Sequence, residues 1–172
     1  INRMPITEQT VAAIKEIATK YNVSYSDIAI LFPYKQHKLI KYYFLYWLET
    51  ALDNADIPYS LITASLDGTF DRKRYSETNG VILSTIDSSL GLDFKAVIVT
   101  GLYPYNYVFG DNYYKKTISS WRTIKEMPDD DRDQVQSQMR SIYTACSRAR
   151  EVLYVLSDLT EGTPMEEILL KR

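Results

Sequence analysis

Val81-Ile82-Leu83-Ser84-Thr85-Ile86-Asp87-Ser88-Ser89-Leu90-Gly91-Leu92-Asp93-Phe94, followed by Lys95 and the run Ala96 to Val99, decides the fold. Val81 to Leu83 is solidly apolar and short, without polar alternation. That pattern predicts a strand buried on both faces, the signature of a parallel sheet. Ala96 to Val99 reads the same way. The loop between them is rich in hydroxyls and leaves the carboxyl end of its strand, where open α/β sheets place ligands. Ser and Thr hydroxyls and backbone N–H groups can hold phosphate oxygens there, and Asp93 can accept from a ribose hydroxyl. The same residues also make an ordinary strand connection from common turn formers.

Outward from this centre, Ile28 to Phe32 and Val152 to Leu156 are further solid runs, and Pro58 to Ile62 is a weaker fifth. Helical spacing appears over 7–21, with Thr7 as N-cap, over 37–54 and over 131–149. Asn54 to Pro58 stops the second helix, and a short helix over 164–170 is a further candidate. This succession predicts an α/β fold, a three-layer domain with a mostly parallel sheet flanked by helices. Residues 103–130, with five tyrosines between 103 and 114 and an acidic turn at Asp129 to Asp131 closing the stretch, are long for a plain connection and read as either functional or partly disordered.

The 172 residues make one domain. Lys plus Arg is 20 against 22 Asp plus Glu, a net charge of −2. That near-balance argues against holding nucleic acid by bulk charge. Lys35, Lys38, Lys41 and Arg72 to Arg74 leave room for a local basic track, or simply for a solvated face. Cys146 is the one cysteine and His37 the one histidine, so neither an internal disulfide nor a Cys/His metal set is available. A reducing, cytoplasmic setting fits. No apolar stretch approaches the roughly 18 to 20 residues of a membrane span, and no membrane partner is expected. The chain opens at Ile1 with its first methionine at Met4, so a piece of a longer protein is expected.

Several chemistries are missing. None of the six glycines is followed by Lys, so no phosphate-binding G-x-x-x-x-G-K-[ST] loop exists, and there is no G-x-G-x-x-G. No predicted strand ends in an Asp-Glu pair that would hold Mg²⁺. His37 has no marked nucleophile beside it. The chain alone therefore lacks the parts of a complete nucleotide hydrolase.

A second segment carries information: Arg140-Ser141-Ile142-Tyr143-Thr144-Ala145-Cys146-Ser147-Arg148-Ala149-Arg150, ahead of the strand at Val152. An arginine at a helix end can reach a phosphate in a neighbouring domain as a finger. It also suits the negative end of the helix dipole without any ligand.

The two segments together resemble motifs V and VI of superfamily I helicases of the UvrD/Rep/PcrA type. Thr85, Ile86, Gly91, Leu92, Asp93 and Phe94 match a pattern close to T-[LI]-H-x-[AS]-K-G-L-[ED]-[FW]. Arg140, Tyr143, Ser147, Arg148 and Ala149 match R-x-x-Y-V-x-x-[TS]-R-A. Ile28 to Phe32 resembles the family strand I-A-[IV]-L-[YF]-R. The three segments keep family order over most of residues 27–157, and the resemblance implies that residues 103–130 are a variable insertion.

The resemblance implies the second RecA-like domain of an ATP-driven DNA motor. An N-terminal RecA-like domain in cis would carry the phosphate loop and the Mg²⁺ ligands, with ATP between the two. Arg148 would be the catalytic arginine finger on the γ-phosphate. Gly91 and Asp93 would complete the ATP contacts. Thr85, Asp87 and Ser88 would lie along a single-stranded or duplex DNA partner, and Arg140 would buttress the motif VI helix. The departures fall on the strand-facing side: Asp87 replaces a His, Leu90 a Lys and Pro33 an Arg. A non-catalytic helicase-like module that binds protein or nucleic acid is the alternative. An independent doubly wound enzyme is disfavoured by the missing triad, metal set and glycine loop.

Overall fold

A computed structural model describes residues 4–33, 43–62, 79–102, 126 and 128–157. Strand β1 is Ile28–Phe32, β2 Tyr59–Ile62, β3 Val81–Thr85, β4 Phe94–Leu102 and β5 Ala149–Ser157. They form one sheet in the order β2-β3-β1-β4-β5, with every pairing parallel. All five predicted strands are present, including the weak one. Helix α1 is Met4–Lys20, α2 Phe44–Asn54 and α3 Asp129–Cys146.

Strand alternation divides the core in two. Ile28, Ile30 and Phe32 of β1 pack with Ile14 and Ile17 of α1 and Phe44, Leu48 and Leu52 of α2. Ala29 and Leu31 point the other way, to Met139, Ile142 and Ala145 of α3. The result is a three-layer α/β domain, as the apolar runs predict. All five β1 side chains are fully buried, which is why this strand reads as an unbroken apolar run rather than an alternating one.

Three helix boundaries differ from the sequence expectations. Thr7 does not cap α1. It lies inside the helix at 2% exposure, because Ile6 ahead of it is also drawn into the core. Thr10 then donates to the Ile6 carbonyl at 2.7 Å and meets the Thr100 hydroxyl of β4 at 2.9 Å, tying α1 to the sheet. The helix expected over 37–54 is not continuous, since Tyr43 is non-helical (φ −131°, ψ 42°). Its neighbour Phe44 turns inward onto Phe32, with ring centroids 5.8 Å apart. Residues 37–42, including His37, lie outside the described residues. The third helix, expected over 131–149, runs from Asp129 to Cys146. The acidic residues read as a turn instead open that helix, where carboxylates complement the positive end of its dipole.

Both α1 and α2 stop at a left-handed residue, Asn22 (φ 51°) and Asp56 (φ 54°). At α2 the cap is a Schellman arrangement. Ile57 N–H reaches the Leu52 carbonyl at 3.0 Å and Asp56 N–H reaches Asp53 at 3.2 Å, with Ile57 buried. The expected stop between Asn54 and Pro58 therefore has a defined hydrogen-bond basis. The basic residues Lys35, Lys38, Lys41 and Arg72 to Arg74, the tyrosines of 103–114 and the candidate helix over 164–170 lie outside the described residues. Among the described residues no helix is long and apolar enough to cross a membrane.

Candidate functional site

The connection between β3 and β4 positions the site. Thr85, at the end of β3, is level with Phe32 at the end of β1, while Ile28 at the start of β1 is level with Ala96. Parallel strands thus force residues 86–93 to travel from the carboxyl edge of the sheet back to its amino edge, roughly 20 Å at strand rise. No helix makes this crossing. A short 3₁₀ turn, Asp87–Ser89, and an irregular return do so. Ile86 and Leu92 pack on the α3-side core. Ile86 N–H donates to the Phe32 carbonyl at 3.0 Å, and the buried Ser89 hydroxyl donates to the Ile86 carbonyl at 2.6 Å. Gly91 turns the chain with φ +79°, and a Cβ built there meets nothing within 4 Å. The demand for glycine is therefore one of backbone conformation, not of crowding.

The loop consequently serves two edges. Sequence reasoning places its hydroxyls and Asp93 together at a carboxyl-edge site, and the register separates them. Thr85, Ser88 and Asp87 stay near the carboxyl edge. The Thr85 hydroxyl donates to the Ser88 hydroxyl at 2.8 Å and accepts from the Ser88 N–H at 3.2 Å, which closes the turn internally. Asp87 is exposed, as is Leu90 at 63%. Asp93 lies at the amino edge, directly before β4.

Arg148 arrives at that same edge from the other side. Helix α3 ends at Cys146, so Arg148 sits in the turn after the helix rather than on it, and Arg150 is an exposed residue of β5. Phe94 pairs with Ala149, and the Phe94 N–H donates to the Arg148 carbonyl at 2.9 Å. This first rung between β4 and β5 fixes Asp93 and Arg148 side by side. The guanidinium donates through Nε to the Thr144 carbonyl (3.2 Å), through Nη1 to the Leu92 carbonyl (3.3 Å) and through Nη2 to the Ser147 hydroxyl (3.2 Å). Nη1 also lies 3.5 Å from Asp93 Oδ1, with the arginine side chain 22% and the aspartate side chain 61% exposed. The bond to Thr144 is the helix-end contact that the dipole argument anticipates, and the remaining bonds go beyond it.

The structure brings Arg148 and Asp93 together, with Gly91 two residues away on the same loop, and sets Thr85, Asp87 and Ser88 apart from them. Arg140 is exposed on α3. The Thr144 and Leu92 carbonyls and the Ser147 hydroxyl do not stand out as arginine ligands in the sequence. Ser147 beside Arg148 is the one visible signal. Cys146 is half-buried against the α3-side core, and burial pushes its thiol pKa up. That suits packing better than nucleophilic chemistry. Among the described residues no group of His, Cys, Asp and Glu is placed to hold a metal ion.

No protein-family model and no curated protein matches the chain. Among solved structures it is similar to the C-terminal domain of a possible DNA helicase from Lactobacillus plantarum WCFS1, at 19% identity and a TM-score of 0.48, over 92% of this chain and 70% of that one.

Proposed function

We propose that the chain is the second RecA-like domain of an ATP-driven nucleic-acid motor of the UvrD type, contributing one wall of an ATP cleft. One observation carries this reading. The ends of the two motif-like segments, 56 residues apart at Leu92 and Arg148, meet at one edge of the sheet and converge on a guanidinium. Arg148 is the γ-phosphate finger, and Gly91 and Asp93 border the nucleotide. The donors fit part of a polyphosphate. A triphosphate carries several negative charges, and a guanidinium beside a carboxylate cannot balance them. The rest of the charge, Mg²⁺ and its ligands belong to a preceding RecA-like lobe. DNA runs past Thr85, Asp87 and Ser88 at the opposite edge.

On this reading the 172-residue chain binds ATP weakly and turns none over, while in the two-lobed protein Arg148→Ala lowers turnover by about 10³-fold. ATP hydrolysis by the isolated chain at a motor's rate, or full turnover in Arg148→Ala, would end it.

A second reading, a docking module for a protein partner, draws support from the carboxyl edge. The turn there shows an exposed Leu90 and the acid Asp87, and its hydroxyls are already bonded to each other. Binding to single-stranded DNA that weakens steeply with salt favours the motor, and binding without salt dependence favours docking.

A further inference from the structure

We infer that Asp93 is an exchangeable counter-ion for Arg148, holding the place that a ligand phosphate takes and giving it up when a polyphosphate arrives. The inference rests on the role proposed above for Arg148. Among the described residues the guanidinium makes two kinds of contact. Three are neutral, to the Thr144 and Leu92 carbonyls and the Ser147 hydroxyl, at 3.2 to 3.3 Å. The carbonyls belong to the last turn of α3 and to the approach of β4, so they are fixed by the fold. The Ser147 hydroxyl is itself tied down, donating to the Thr144 carbonyl at 2.8 Å. These three set the plane of the guanidinium. The fourth contact is the charged one, at 3.5 Å the longest of the four, and its carboxylate is mostly in solvent.

Such a pair is easily exchanged. Exposed ion pairs contribute at most about 1 kcal/mol, which is about fivefold in an equilibrium. A phosphate group offers more charge and a geometry that suits the planar fork. Arg148 therefore stays where its neutral acceptors hold it while one anion replaces another at Nη1. Until then Asp93 keeps a partly exposed cation paired and raises the threshold for stray anions.

Calorimetric titration of the chain with tripolyphosphate and with ATP, at low and moderate salt, tests this. Asp93→Asn is expected to tighten both ligands alike, by about two- to fivefold at low salt, with the gain shrinking as salt screens the charge. Asp93→Glu is expected to restore the wild-type values. Arg148→Ala is expected to abolish tripolyphosphate binding in either background. If Asp93→Asn weakens ATP and leaves tripolyphosphate unchanged, the carboxylate is a sugar ligand and the counter-ion role is wrong, while Arg148 keeps its own. If tripolyphosphate binds none of these proteins, or binds Arg148→Ala as well as wild type, the proposed role of Arg148 itself falls.

Discussion

Arg148 Nη1 lies 3.5 Å from Asp93 Oδ1, and the backbone beneath the pair is joined by the Phe94 N–H to the Arg148 carbonyl at 2.9 Å. The side-chain contact is weak, yet its position is fixed by a rung of the sheet. A slip of one residue in the pairing of β4 with β5 would invert the faces and part the two residues. The location of the pair is thus a property of the register, and its charge is a separate, adjustable feature.

Arg148→Ala and Arg148→Lys separate these two features. Both keep the backbone rung, so both are expected to fold, with a loss of about 1 kcal/mol from the missing side-chain bonds. Lysine carries the charge but cannot reach the Thr144, Leu92 and Ser147 acceptors with one planar group. On the proposed motor reading, both variants lose ATP turnover in a protein that carries both lobes, the lysine variant by about a hundredfold or more. Urea midpoints together with turnover measure the split. Full activity in Arg148→Lys would mean that charge alone suffices.

The sheet was legible because its strands are buried on both faces. Ile28 to Phe32 and Ala96 to Val99 carry no polar residue at any position, and only a central parallel strand tolerates that. The helix ends were less legible because packing overrides local signals. Thr7 looks like a cap until Ile6 is seen in the core, and Asp129 to Asp131 look like a turn until they open α3. Half of the candidate site was legible. Arg148, Asp93 and Gly91 stand out as types in a pattern, but no pattern of side chains announces a carbonyl ligand such as Leu92. The division of the loop between two edges follows from parallel register, which periodicity does not encode.

Two glycines make opposite demands. Gly91 needs its positive φ, and a methyl there touches nothing. Gly91→Ala is therefore expected to cost about 1 kcal/mol of left-handed strain. At Gly80 a Cβ would stand 2.0 Å from the Pro58 carbonyl oxygen, against backbone that also accepts the Val81 N–H at 2.9 Å. Gly80→Ala is expected to cost about 3 kcal/mol or more, since β2 and β3 must part. Comparable urea midpoints for the two variants would contradict this ordering.

Tyr154 of β5 links the edge strand to α1, its hydroxyl donating to Glu16 Oε1 at 2.9 Å. Burial, then the bond to Glu16 and the nearby Tyr21, raises its pKa well above the ordinary 10.0. The fold thus favours the protonated phenol. Its contribution is complete below about pH 10 and declines as the unfolded chain begins to ionise. Tyr154→Phe is expected to cost about 0.5 to 1.5 kcal/mol at pH 7. The stability gap between wild type and variant is expected to narrow as pH rises from about 10 to about 11. A gap that is flat or widens over that range would show that the phenol proton is not held by the fold.

The crossing loop replaces a helix, so its few inward side chains must seal the α3-side core over β1 and β3. Ile86 is 2% exposed, packs with Ala29, Leu31 and Ile82, and begins the descent toward Asp93. Leu90, four residues on, is 63% exposed. Ile86→Ala is expected to destabilise by about 2 to 4 kcal/mol, because the strands beneath cannot collapse into the space left behind. It is also expected to loosen Asp93 from Arg148, measurable as faster amide exchange at Phe94, whose N–H donates to Arg148. Leu90→Ala removes as many carbons but is expected to change stability by less than about 0.5 kcal/mol. If Leu90→Ala proves as damaging as Ile86→Ala, the loop is anchored through its outward face, and the two-edge account of residues 86–93 must be replaced.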